Sequence, residues 1–147
     1  MKRLELVGLK ACGRCHRAVA YLMIEDGDTL GIILDAVKAR ELSCHHQGPG
    51  DEKHLTAFLL KLFAGTSYVP RQVVLDCGEG GFPSARIDIT TDILSCSLQE
   101  GVVFAIAAGV PLYAAEGVFE HRHLFHAPDM TGESTDLIQP KLKQTLH

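Results

Sequence analysis

Residues 97–109 read Ser97-Leu98-Gln99-Glu100-Gly101-Val102-Val103-Phe104-Ala105-Ile106-Ala107-Ala108-Gly109, and the fold turns on this stretch. Ser97 followed three residues later by Glu100 is a capping-box pair. The hydroxyl accepts from the backbone N–H of residue 100, and the carboxylate reaches back to the N–H of residue 97. After Glu100 the run to Ala108 carries no charge. A helix without a polar face must be covered on most sides, by the core or by a second subunit. Gly109 is placed to end it in the left-handed conformation, which glycine enters without a Cβ penalty.

The flanking segments supply strands. Arg3 to Leu9, Arg17 to Ile24 and Thr29 to Leu34 read as an antiparallel meander. The turn Glu25-Asp26-Gly27-Asp28 joins the last two, since Asp-Gly suits positive φ. Gln72 to Cys77 reads as a strand, and Ala85, Ile87 and Ile89 alternate with Arg86, Asp88 and Thr90 in another. Val110 to Ala114 is short and apolar, consistent with a further strand. Asp35 is a candidate N-cap for a helix to Leu42. Leu55, Phe58, Leu59, Leu62 and Phe63 fall at i, i+3, i+4, i+7 and i+8, an amphipathic helix that Gly65 ends. The expected fold is α+β, with a mixed, largely antiparallel sheet packed against about three helices. The expected domain covers residues 1–126. Residues 127–147 form a polar, partly ordered C-terminal tail.

With 147 residues and 46% hydrophobic side chains, the chain has enough apolar material for one cored domain and is not a disordered sequence. The formal charge of −4 argues against a module that holds nucleic acid by backbone charge alone. An enzyme needs only a local basic patch. The first 75 residues carry a net +2 and the remainder a net −6, so a polyanion would favour the first half. No apolar run reaches the 18 residues of a membrane span, and the N-terminus lacks a continuous apolar core. The expectation is a cytoplasmic protein with no membrane contact, in which the five cysteines need not be bridged.

Several residues carry candidate chemistry. Cys12-Gly13-Arg14-Cys15-His16 places two thiols at a spacing that lets both reach one soft ion. Cys44 with His45 or His46, His45 being the first choice, would complete a Cys3His structural zinc site with Cys12 and Cys15. The same residues also read as haem attachment, as a dithiol redox pair, or simply as small residues in a turn. His121, His123 and His126 form a second, less specific cluster. Lys53 and Arg71, with Lys61 and Arg86, are bases that suit phosphate contacts. Glu100 is the best single carboxylate for holding a divalent cation (Mg or Mn) in phosphodiester hydrolysis. Its competing role is the capping box, which requires nothing more of it. Asp88, Asp92 and Glu116 are its possible partners.

The segment from Glu100 to Glu116, ending Gly109-Val110-Pro111-Leu112-Tyr113-Ala114-Ala115-Glu116, resembles the C-terminal signature of the bifunctional nuclease (BFN-like) domain family. There the text runs approximately P-S-D-A-I-A-L-A, then G-V-P-I-Y-V-A-E. Leu6-Val7-Gly8-Leu9 is similar to that family's first strand, and Asp26-Gly27-Asp28 before Leu30-Gly31-Ile32-Ile33 to its third-strand entry. The resemblance extends from Met1 to about Arg122. It implies an α+β domain, often a homodimer, with DNase and RNase activity. The family's Pro, Ser and Asp fall on Leu98, Gln99 and Glu100, so a carboxylate is kept. The second helix usually opens R-P-x-T-H-D. Thr56 matches the Thr, but Lys53, His54, Ala57 and Phe58 replace the Arg, Pro, His and Asp. The resemblance thus implies a nuclease with Glu100 as its catalytic candidate. The alternative is a non-catalytic dimeric regulatory or interaction domain on the same fold.

Overall fold

The computed structural model describes residues 1–13, 16–46, 55–78, 80–126 and 134–138. Within these, the strands are β1 (Lys2–Cys12), β2 (Arg17–Ile24), β3 (Thr29–Asp35), β4 (Pro70–Cys77), β5 (Pro83–Ile89), β6 (Asp92–Cys96), β7 (Leu112–Ala114) and β8 (Ser134–Ile138). The helices are α1 (Ala36–His46), α2 (Leu55–Ala64), α3 (Leu98–Ala108) and α4 (Glu116–Glu120), with one 3-10 turn at Arg122–Phe125. The strands form one sheet in the order β3-β2-β1-β7-β4-β5-β6, and β8 also pairs with β1. Every pairing is antiparallel except β4 with β7.

The expected α+β architecture is present, with four α-helices among the described residues rather than about three. The opening meander folds as the alternation dictates, and Gly27 takes φ 102° in its turn. α3 closes as its sequence requires. Ser97 and Glu100 make both reciprocal bonds of the capping box, and Gly109 ends the helix at φ 67°. Gly101 through Ala105 are buried, so the chain's own sheet, together with α1, covers the first half of this helix.

Two strands go beyond the sequence reading. β6 is a five-residue edge strand with four exposed side chains, so it shows no burial alternation to read. β8 lies in the segment expected to be a polar tail. It is held by pairing with β1, and only its Ile138 is buried.

α2 forms where the periodicity places it but turns a different face inward. Thr56 is buried, and Leu60 and Phe63 pack partly against the core. Phe58 and Leu62, 53% and 54% exposed, point to solvent with Leu59. The segment is apolar almost all round, so the pattern locates the helix without fixing which stripe the core takes.

Candidate functional site

The capped end of α3 follows directly from β6, which delivers the chain from Cys96 through Ser97. Ser97 Oγ accepts from Glu100 N at 3.3 Å, and Glu100 Oε2 accepts from Ser97 N at 3.3 Å. Glu100 is exposed. Its charge, after burial, helps push the Cys96 thiol up to about 11, so Cys96 stays protonated at neutral pH.

A second carboxylate reaches this end by a route the sequence did not reveal. Asp35 caps α1, with its Oδ1 accepting from Lys38 N at 2.8 Å. The side chain of Gln99 bridges to the same residue. Asp35 N donates to Gln99 Oε1, and Gln99 Nε2 donates to Asp35 Oδ2, both at 3.0 Å. The Lys38 N–H and then the Gln99 amide hold the Asp35 carboxyl below its ordinary value against a partial desolvation cost, so it is ionised. Two helix starts thus share one polar junction, through Asp35 and Gln99, 64 residues apart in sequence.

The other candidates are distributed differently. Asp88 accepts from Gln72 Nε2 at 2.7 Å and pairs with Arg86 at 3.5 Å, a structural role inside the β4–β5 sheet. Arg71 lines a surface groove with Asp88, Asp92 and Thr90 at the turn between β5 and β6. Glu100 follows the opposite end of β6. Four residue steps at about 3.3 Å each put roughly 13 Å of strand between those two ends. Arg71 and Glu100 are therefore not in one tight constellation. Lys53 lies outside the described residues.

Of the four proposed zinc ligands, Cys12 and Cys44 line one cavity, against the end of β1 and the last turns of α1. Cys15 lies outside the described residues, and His45 is half-buried nearby in α1. Among the described residues, no group of three or more His, Cys, Asp or Glu side chains is arranged to hold a metal ion. The haem and redox readings of Cys12 and Cys15 fall outside the described residues at Cys15. In the last histidine cluster, His121 Nδ1 lies 3.1 Å from the Gly117 carbonyl oxygen and closes α4, His123 lies in the 3-10 turn, and His126 follows it in extended backbone. Cys77 is buried in the core as a small apolar side chain.

Fold and site together define a mixed α+β domain with an eight-stranded, mostly antiparallel sheet and a carboxylate-bearing junction at one end. No protein-family model matches the chain, and no curated protein matches it. No described helix is long and apolar enough to cross a membrane.

Proposed function

We propose that this chain is a BFN-like nuclease that hydrolyses phosphodiester bonds of DNA or RNA, with its reacting end at the start of α3. The observation that carries the reading is the polar junction, where an ionised Asp35 is bridged to Gln99, the residue that precedes exposed Glu100 in the first turn of α3. The resemblance of residues 100–116 to the family signature supplies the reaction class.

The donor chemistry at this junction fits a hard cation. Both groups are carboxylates, and Mg2+ or Mn2+ is commonly held by one or two carboxylates, with water and substrate phosphate completing the shell. Such a cation neutralises charge on the transferring phosphoryl group and activates water. Glu100 would hold it, using lone pairs not engaged by the Ser97 N–H. Asp35 adds negative charge that favours a cation there. Gln99 fixes the Asp35 rotamer, and the two caps hold both helix starts still. Arg71, a strand length away, would meet the phosphate backbone beyond the scissile bond.

The test is a cleavage assay on single-stranded DNA and RNA with added Mg2+ or Mn2+. Glu100→Gln keeps the capping-box acceptor, so the fold stays intact, and activity is expected to fall tenfold or more. Asp35→Asn should raise the Mg2+ requirement with a smaller loss. Undiminished cleavage by Glu100→Gln removes this site from the reaction.

A second reading is favoured by α2. Its stripe Phe58, Leu59 and Leu62 is exposed, and Tyr68 and Val69 just beyond it are exposed as well. Adjoining exposed apolar side chains of this kind mark interaction surfaces. We propose that a second copy covers them, in a two-fold dimer where the same stripe serves both partners. Phe58→Glu with Leu62→Glu should then convert a dimer to a monomer in sedimentation velocity. A wild-type protein that sediments as a monomer at tens of micromolar rejects this dimer. If the dimer forms and cleavage is absent, the chain is read as an interaction domain instead of a nuclease.

A further inference from the structure

The cavity between the end of the β1–β2 hairpin and α1 has a volume of about 310 Å3. That is the size of a small ligand pocket. Its lining has an unusual composition for a surface with an acidic overall balance. Arg17 from β2, Arg40 from α1 and His16 contribute basic groups, and among the described residues no Asp or Glu lines it. Both arginines are exposed, and among the described residues neither guanidinium is ion-paired. The inner wall is small and apolar, formed in part by buried Ala18 and Ala39. Cys12 and Cys44, both half-buried, line the same space.

Each feature constrains the occupant. Arg17 faces Asp35 across the β2–β3 ladder but makes no ion pair with it. Two guanidinium groups not ion-paired among the described residues favour an anion, and their planar forks suit carboxylate or phosphate oxygens. The alanine wall admits a compact apolar body. We propose that this cavity binds a small organic anion, with its carboxylate or phosphate at Arg17 and Arg40 and its body against the Ala18–Ala39 wall and the two thiols. The cavity adjoins the Asp35 junction, since Arg17 pairs with Asp35 in the β2–β3 register and Ala36 lines the space, but the proposal does not depend on the nuclease reading.

The thiols make the site testable without knowing the natural ligand. Iodoacetate and iodoacetamide have nearly the same shape, but only the first is an anion. Each alkylates a thiolate by the same displacement: the sulfur forms a bond to the CH2 carbon, the carbon–iodine bond breaks and iodide leaves. The ratio of their rates at one cysteine cancels that cysteine's own reactivity and reports the local field on the probe. Peptide mapping by mass spectrometry gives the ratio at Cys44 and Cys12 separately. Cys96, whose thiol is pushed up to about 11, is expected to stay unmodified.

The iodoacetate-to-iodoacetamide ratio at Cys44 should exceed that of a small free thiol about fivefold or more at low salt. It should fall to the free-thiol value in the Arg17→Gln, Arg40→Gln double variant and in 1 M NaCl. Both substitutions are at exposed positions, and circular dichroism checks that the fold is kept. A ratio equal to that of the free thiol, or one that the double variant leaves unchanged, overturns the proposal. Failure of both thiols to react with either probe shows the cavity closed to small molecules and overturns it too. So does protection of Cys12 and Cys44 that a chelator releases, which would assign the cavity to zinc.

Discussion

Gly101→Val should lose about 3 kcal/mol or more of stability. A Cβ at residue 101 would sit 2.5 Å from the Ala85 Cβ and 3.3 Å from Val73 Cγ1. The Ala85 Cβ is fixed to its strand backbone and cannot swing aside. α3 must therefore lift from β4 and β5 by more than 1 Å, roughly the gap between 2.5 Å and ordinary carbon contact. Lifting opens the interface that buries Val102, Val103, Phe104 and Ala105. Valine adds two further methyl groups to the same collision.

Gly101→Ala separates this from helix propensity. Alanine favours an isolated helix over glycine by about 1 kcal/mol, so a free helix would gain stability. Here the expected net result is a loss of about 2 kcal/mol, because the clash outweighs the propensity. The decisive measurement is a double-mutant cycle with Ala85→Gly, read by chemical denaturation. Removing the Ala85 Cβ relieves the 2.5 Å contact, so Gly101→Ala should cost at least about 1 kcal/mol less in that background. Strictly additive costs would show that close approach is not why glycine stands there.

The same residue shows what sequence could and could not reveal. Ser97, Glu100 and Gly109 act within a few residues of themselves, through hydrogen bonds and a backbone angle, so both ends of α3 were legible to the residue. Gly101 acts through Ala85 on another strand, and nothing local announces that. α2 follows the same rule. Its apolar spacing defined the helix, but the inward face is set by what α3 and the core offer, and Phe58 and Leu62 were assigned to the wrong side. β6 and β8 were missed because pairing holds them while most of their side chains stay out of the core. At the candidate site, Glu100 was legible from its motif. Asp35 was legible only as a cap, and its link to Gln99 is a tertiary contact across 64 residues. The cavity beside Cys12 was half visible, since its cysteines stand out in a sequence and Arg17 and Arg40 do not.

Glu41 is the other residue whose weight is tertiary. It reads as an ordinary helix glutamate, yet it is only 2% exposed. Its Oε1 accepts from Thr56 N at 3.3 Å, and its Oε2 meets Lys38 Nζ at 3.3 Å. Thr56 N belongs to the first turn of α2, where the N–H groups have no partner inside the helix. Glu41 thus supplies from α1 a cap for α2, and Lys38 balances its charge. Burial pushes its carboxyl up, but the Thr56 and Lys38 interactions outweigh this and leave it below the ordinary glutamate value.

Glu41→Ala is therefore expected to cost about 3 kcal/mol, since it strands a buried N–H and a largely buried ammonium together. For a chain of this size that is roughly a 10 °C fall in Tm. Glu41→Gln keeps an acceptor for Thr56 N and loses only the ionic part, so about half the cost should remain. The pH dependence follows from the lowered carboxyl. Below the ordinary glutamate value of about 4.3 the unfolded chain binds a proton that the folded chain does not, so stability falls with pH through that window. The wild type should lose stability there more steeply than Glu41→Gln, which has no carboxyl to protonate at this position. Denaturant titrations at pH 7 and pH 4 measure both slopes. Parallel loss in the two proteins would show that Glu41 is not held as a charged cap.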